Sequence, residues 1–308
     1  MYAMTSSLQT VQLDISAPFG LTPTVLAHGW WECMPFSYDR GENTLYRCER
    51  DSVSGDVFLM SVSQTPAKPQ APVVVGANTP RHVDAARRLA ERVLNLHWDI
   101  QPLYDLCDDS PLLRDIPAMG AGRIMRGGSL AEDLIKAISF TNMRWPQAVS
   151  MLNRMAERYT DHNDCCLLPD GTWLRGFPDV ATIAANGLQP LQDCGLGYRG
   201  PWVLDCARDI ANGTLMLPDA DACDEAEFMK ALRCINGVGP ATAGYLANLY
   251  GHWATVSVDS AVVAHVKVHH PHLNPVRRDI QKHYSERFGS YAALAVFMEM
   301  AVALGRWD

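Results

Sequence analysis

The stretch Leu232-Arg-Cys-Ile-Asn-Gly-Val-Gly-Pro-Ala-Thr-Ala-Gly-Tyr-Leu246 constrains the fold more than any other part of the chain. Apolar residues at helical spacing stop near Ile235, and a second helix begins at Pro240 or Ala241. Only Asn236-Gly237-Val238-Gly239 joins them. Glycine at 237 permits the positive φ of a helix C-cap, and Gly239 permits another backbone to come close. Pro240 suits the first turn of the second helix, where its missing N–H costs nothing. The link predicts a tight hairpin of helices, with unbonded N–H groups at the start of the second one that suit an anion. Helical bundles use such turns structurally as well, so the turn alone decides nothing.

The next segment, Gly251-His-Trp-Ala-Thr-Val-Ser-Val-Asp-Ser-Ala-Val-Val-Ala264, gives the turn its meaning. Asp259 closes an extended apolar run and stands where it would cap a following helix. A capping aspartate is by itself a structural residue. Its distance from the turn is more informative, because Asp259 follows Gly237 by 22 residues.

Gly237-Val-Gly239, Thr242-Ala243 and Asp259 at this spacing resemble the helix-hairpin-helix, Gly/Pro-rich loop and aspartate signature of the base-excision DNA glycosylases, over about residues 228–265. The resemblance implies that Gly237, Val238, Gly239, Ala241 and Thr242 grip a DNA phosphate, with a monovalent cation between them, and that Asp259 is the catalytic carboxylate. Gly195-Leu-Gly-Tyr-Arg-Gly-Pro-Trp202 resembles the Gly-Tyr-Arg turn of the 8-oxoguanine branch, which implies that Tyr198 and Arg199 wedge into the duplex. Ile138-Ser-Phe-Thr-Asn-Met-Arg-Trp145 is similar to the junction whose Asn fills the hole left by the extruded base; here that is Asn142, with Thr141 beside it.

In this family the strand-cutting members carry a lysine two residues after the second hairpin glycine, where it forms a Schiff base. This chain has Ala241 there, and its nearest lysines are Lys230 and Lys267. The expectation is a monofunctional enzyme that uses water. An alkylated purine is expected by elimination, with Trp30, Trp31, Phe36, Thr141 and Trp145 as candidates for the base pocket. A silent protein that binds distorted duplexes through the same hairpin is the alternative. Phosphate gripping alone needs no Asp259, which favours the enzyme.

Composition bounds the rest. At 308 residues, 48% hydrophobic and 19% charged, the chain can bury a sizeable core. A net charge of −8 argues against indiscriminate coating of nucleic acid. Residues 1–230 hold 19 Lys/Arg against 29 Asp/Glu, whereas residues 231–308 hold 7 against 5, with six of the ten histidines. The C-terminal quarter is thus the part that tolerates phosphates. Nine cysteines lack a C-x-x-C pair, none follows Cys234, and they read as reduced thiols with no zinc site and no iron–sulfur cluster. His269-His-Pro-His272 reads as an exposed cluster at a helix end, with no protein-specific metal expected. No signal-like N-terminus or apolar span is visible, so a cytoplasmic (or nuclear), monomeric protein that binds damaged double-stranded DNA, and no membrane, is expected.

The pattern of elements predicts an α+β chain. Residues 1–118 read as a β-rich unit with a small antiparallel sheet, with strands near Val11–Ile15, Thr44–Arg47, Val57–Val62 and Val73–Val75 and turns at 39–43 and 52–56. Residues 119–308 read as an all-helical, two-lobed body, with the hairpin at about 225–251 and the aspartate loop at 252–260. The spacing predicts helices over His82–Leu96, Pro102–Cys107, Leu130–Ser139, Trp145–Tyr159, Asp179–Asn186, Trp202–Asn212, Glu225–Ile235, Ala241–Tyr250, Ser260–Val268 and Tyr291–Ala303.

Overall fold

The computed structural model describes residues 8–15 and 18–307; the reading of the extreme N-terminus (1–7) therefore lies outside the described residues. Five strands form one antiparallel sheet: β1 (Gln9–Leu13), β2 (Phe36–Asp39), β3 (Thr44–Arg50), β4 (Val57–Gln64) and β5 (Val73–Ala77), in the order β1-β5-β4-β3-β2. The register Leu45↔Val62 and Arg47↔Met60 puts Leu45, Met60 and Val62 on one face and Tyr46, Cys48 and Leu59 on the other.

The first face is covered by α2 (Val83–Val93), whose Ala86, Leu89, Ala90 and Val93 form the apolar stripe expected from the sequence. Before it runs α1 (Leu21–Ala27), which sequence reasoning missed. It is buried all round, so it has no amphipathic period to find. The other face is covered by a second hairpin, β6 (Cys165–Leu167) and β7 (Trp173–Arg175), where Cys166, Leu168 and Leu174 pack on Tyr46, Cys48 and Leu59. This corrects the expectation of an all-helical body after residue 118: three-residue strands are too short to show alternation. The Cys165–Cys166 pair belongs to this packing, and all nine cysteines are free thiols.

The helices between and beyond are α3 (Gln101–Tyr104), α4 (Ile116–Met119), α5 (Leu130–Ser139), α6 (Trp145–Tyr159), α7 (Val180–Asn186), α8 (Leu188–Asp193), α9 (Arg199–Ala211), α10 (Glu225–Arg233), α11 (Pro240–Leu249), α12 (Ser260–His269), α13 (Arg277–Phe288) and α14 (Ala292–Ala303). Predicted starts and ends agree to within a few residues, except that the short α4 and α8 and, most visibly, α13 were not expected. Its buried residues are Ile280, Tyr284 and Phe288, a stripe one residue wide. One hydrophobic cluster runs from Leu13 of the sheet to Met298 of α14, so sheet and helices share a core. No helix among the described residues is long and apolar enough to cross a membrane.

A buried ionic network ties the sheet to α5. Arg47 of β3, 2% exposed, reaches Glu49 at 2.5 Å and Glu132 at 2.6 Å, and Lys136, 0% exposed, reaches Glu132 at 2.7 Å. Burial alone would raise the Glu132 carboxyl, but Arg47 and Lys136 hold it well below the carboxylate range. Next to it, burial and the Glu132 charge push Asp133 up to about 6. Asp133 accepts from Trp30 Nε1 (2.6 Å), Tyr250 Oη (2.9 Å) and the Gly127 N–H, fixing the end of α11 against the sheet side of the molecule.

Candidate DNA-binding and catalytic site

The turn between α10 and α11 has the conformation its glycines imply. Gly237 has φ +86°, and a Cβ there would meet the Trp202 ring at 2.9 Å and Ile138 at 3.1 Å, so both backbone and space demand glycine. Gly239 is the N-cap of α11 and is exposed; a Cβ there would meet nothing within 4 Å. The close approach expected at Gly239 is therefore not to this chain's own backbone. The surface over it is open, and the first turn of α11 directs the Ala241 and Thr242 N–H groups outward, since an α-helix leaves those donors unpaired.

Asp259 stands at the start of α12, as expected. Its Oδ1 accepts from the N–H groups of Ala261 and Val262, both at 2.9 Å, which fixes the carboxylate in one orientation. Its Oδ2 receives no hydrogen bond from the described residues, and the residue is exposed. The preceding segment lies directly on the hairpin. A Cβ on Gly244 of α11 would stand 2.3 Å from Ser257 Cβ, and Ser257 Oγ donates to Pro240 O at 3.4 Å. Gly244 thus sets the distance between the carboxylate loop and the phosphate-suited turn, a function the sequence reading did not assign to it.

Asn142 has φ +52°, a left-handed turn residue at the α5–α6 junction, and is exposed. Arg199 holds this turn, donating from Nε to Thr141 O at 2.6 Å and from Nη2 to Asn142 O at 3.2 Å. The same guanidinium lies over the Tyr198 ring, 4.4 Å from its centroid. Tyr198 is 53% exposed, whereas Arg199 is 7% exposed. Of the two residues expected to form a wedge, only Tyr198 is exposed. Arg199 is buried because it bonds two carbonyls, and it ties Tyr198 to the Asn142 turn.

The aromatic candidates divide. Trp30 is fully buried and packs with Tyr245 (6.0 Å between centroids), Phe140 (5.8 Å) and Trp145 (6.0 Å). Trp145 also donates to Glu32 at 2.9 Å and fills the space left by Gly29. Trp31 instead packs on Tyr38, and Phe36 lies under Arg47 at 4.7 Å and Lys136 at 5.4 Å, as part of the ionic network. Thr141 donates to Ala137 O at 3.2 Å. Sequence reasoning missed His28, Phe140, Tyr245 and Phe297, which complete the nest around Trp30. His28 bonds Tyr245 Oη through Nε2, while its buried Nδ1 has no partner. Burial, then Arg306 and Lys136, lower the His28 pKa to about 3, so the ring is neutral. Phe140, Trp145, Tyr245 and Phe297 are half-buried and form the outer rim of the nest. Gly244, against the Asp259 loop, and Tyr245, in the nest, are consecutive residues of α11, so one helix carries both features.

Position 241, where the resemblance would place a lysine, is alanine. Ala241 is exposed at the hairpin, Lys267 lies in the last turn of α12, and Lys136 is buried in an ion pair.

No protein-family model matches the chain. Among curated proteins, one from Methanothermobacter thermautotrophicus named as an N-glycosylase/DNA lyase is 23% identical over 187 residues, covering 54% of this chain and 57% of that protein. The YfjP protein of Bacillus subtilis, named as a DNA-3-methyladenine glycosylase, is 29% identical over 133 residues, covering 41% and 45%. The chain spans about half the length of the curated relatives it matches. The fold likeness extends further. The 3-methyladenine DNA-glycosylase of Archaeoglobus fulgidus superposes with a TM-score of 0.75 at 19% identity, over 95% of this chain and 97% of that one. The Clostridium acetobutylicum 8-oxoguanine glycosylase/lyase, solved with double-stranded DNA containing cytosine opposite 8-oxoguanine, gives 0.73 at 18% identity, over 96% and 98%. The fold is thus the α+β fold of these glycosylases, in agreement with the helix-hairpin-helix signature at residues 228–265.

Proposed function

We propose that this chain is a monofunctional DNA glycosylase that extrudes a damaged purine, of the alkylated class, and hydrolyses its N-glycosidic bond. The observation that carries the reading is Asp259: a carboxylate held by one oxygen, with the other open, on a loop packed against the phosphate-suited turn. Gripping a backbone would need the turn and not the carboxylate.

In this reading the N–H groups at the start of α11 bind a DNA phosphate, with a monovalent cation between the turn at 237–242 and the backbone. Tyr198 wedges into the stack and Asn142 fills the vacated space, offsetting part of the few kcal/mol that extrusion costs. The base enters the nest of His28, Trp30, Phe140, Trp145 and Tyr245, where an electron-poor alkylated ring gains most from aromatic faces. Bond cleavage then develops positive charge on the sugar, which Asp259 Oδ2 stabilises while orienting the attacking water. Ala241 at the lysine position supports hydrolysis without a covalent intermediate, in contrast to the names of some relatives. The enzyme acts as a monomer in the compartment that holds its DNA, cytoplasmic or nuclear, with a β-rich N-terminal unit and the helical lobes flanking the duplex.

The test is base release from duplexes that each carry one defined lesion. Release of alkylated purines without strand cleavage is expected, and no borohydride-trapped adduct should form. Release of 8-oxoguanine with a trapped adduct would overturn the monofunctional, alkylpurine assignment. Binding without release of any lesion, by wild type and Asp259→Asn alike, would make this a silent DNA-binding protein.

A further inference from the structure

The C-terminal histidines gather around a carboxylate that the proposed reaction does not use. Glu299 of α14 is 0% exposed and has no Lys or Arg partner among the described residues. Its Oε2 instead faces two imidazoles, with His270 Nε2 at 3.0 Å and His265 Nε2 at 3.4 Å. His265 lies within α12, and His270 follows its last turn, where the backbone leaves the helix (φ −128°, ψ 60°) and swings the second ring onto the same oxygen. The expectation of exposed histidines thus holds for His269 and His272, while His270 is 7% exposed.

We propose that His265, His270 and Glu299 form a structural site for a transition-metal cation of the zinc class. The three ligand atoms lie within 4.8 Å of one another. In a tetrahedral site with bonds of about 2.0–2.2 Å, neighbouring ligand atoms stand about 3.3–3.5 Å apart, so the carboxylate–imidazole separations of 3.0 and 3.4 Å need little adjustment, while the two imidazole nitrogens, within 4.8 Å of each other, must close up on the ion. The surroundings orient the carboxylate as second-sphere groups do: Ser110 Oγ donates to Oε1 at 2.7 Å and Tyr284 Oη to Oε2 at 2.5 Å. A buried carboxylate must be paired or coordinate a cation, and where Glu132 has Arg47 and Lys136, the partners of Glu299 among the described residues are hydroxyls and imidazoles. On metal binding the imidazoles carry their proton on Nδ1 and present the Nε2 lone pair, and a water takes the fourth position. The ion would pin the end of α12 to α14 and so steady the helix that Asp259 begins.

The test uses the full-length protein, stripped with a chelator, dialysed and titrated with Zn2+ or Co2+. One ion per chain by elemental analysis, a visible Co2+ spectrum of four-coordinate type, and a Tm rise of about 5 °C on Zn2+ addition are expected. His270→Gln and His265→Gln should abolish the spectrum, while His272→Gln, two residues away and exposed, should keep it. Wild-type protein that folds but shows neither stoichiometric binding nor the Co2+ spectrum would overturn the site. A spectrum lost with His272→Gln but retained with His265→Gln would do so equally, by moving binding to the surface histidines.

Discussion

The two faces of α11 carry different kinds of site. On one, Gly244 lets the Ser257–Asp259 segment come within contact of the helix, beside a turn whose surface is open backbone. On the other, Tyr245 enters a nest of aromatic rings gathered from residues 28–30, 140–145 and 297. The first is built from local backbone geometry and one charge, and a glycine either fits it or does not. The second is built from packing between distant segments, and individual rings can be exchanged at modest cost. The first face should therefore tolerate no substitution, and the second should be tunable.

Asp259→Asn gives the sharpest test of that contrast. Asparagine is as good an N-cap as aspartate, so stability should change by less than about 1 kcal/mol. Loss of the charge should lower the rate of base release by about 100- to 1000-fold, with binding to a damaged duplex retained. Single-turnover release and a thermal melt on the same preparation separate the two effects. If release falls only in proportion to stability, Asp259 is a helix cap and nothing more.

Gly244→Val comes next. Its Cβ would stand 2.3 Å from Ser257 Cβ, so the loop must move or α11 must shift, at a cost of about 1–3 kcal/mol. Helix propensity alone predicts the opposite sign, because valine is a better helix former than glycine. A denaturant melt decides between these, and release should fall together with stability because the carboxylate is displaced from the turn. An unchanged melt would show that the two backbones do not need this closeness.

The same contrast explains what was legible in the sequence. Gly237, Gly239, Pro240 and Asp259 act through φ angles, caps and chain spacing, which are written locally, and they stand where they were expected. The sheet and most helices were legible for the same reason of period. The strand β2, the β6–β7 hairpin, α1, α4, α8 and α13 were not, being too short, too buried or too narrowly striped. The nest was half legible: Trp30 and Trp145 drew attention as aromatics, but His28 meets Tyr245 across 217 residues, and no local pattern announces that. Arg199 was expected to reach the duplex with Tyr198, from the resemblance of its segment to a Gly-Tyr-Arg turn. Its partners, the carbonyls of residues 141 and 142, lie 58 and 57 residues away and turn it inward.

Arg199→Ala should therefore loosen the Asn142 turn and the Tyr198 ring together. Two hydrogen bonds from a buried guanidinium and its contact with the ring are lost. The expected result is about 10-fold weaker binding to a damaged duplex with a much smaller change on undamaged DNA, measured side by side at fixed salt, because only the extruded state uses both residues. Equal weakening on both duplexes would mean that Arg199 serves general affinity.

The smallest effect is expected from His28→Gln, and it appears in pH dependence. Burial lowers the His28 pKa from 6.5 to about 3, so in the folded protein the ring stays neutral where the unfolded chain binds a proton. Between pH 6.5 and about 3 the unfolded state therefore holds more protons, and stability falls as pH falls through that window. Each pH unit contributes at most about 1.4 kcal/mol from this one group. His28→Gln removes the ionisable ring and keeps a polar side chain near Tyr245, so the stability of the variant should decline less steeply from pH 7 to 4. Release of a preferred purine should change by only a few-fold, since the aromatic faces remain. A variant with the wild-type pH slope would show that the imidazole is not held neutral. A variant that loses all release would show that the nest is as exacting as the glycine face of α11, because its unpaired Nδ1 would then be reading the base rather than filling space.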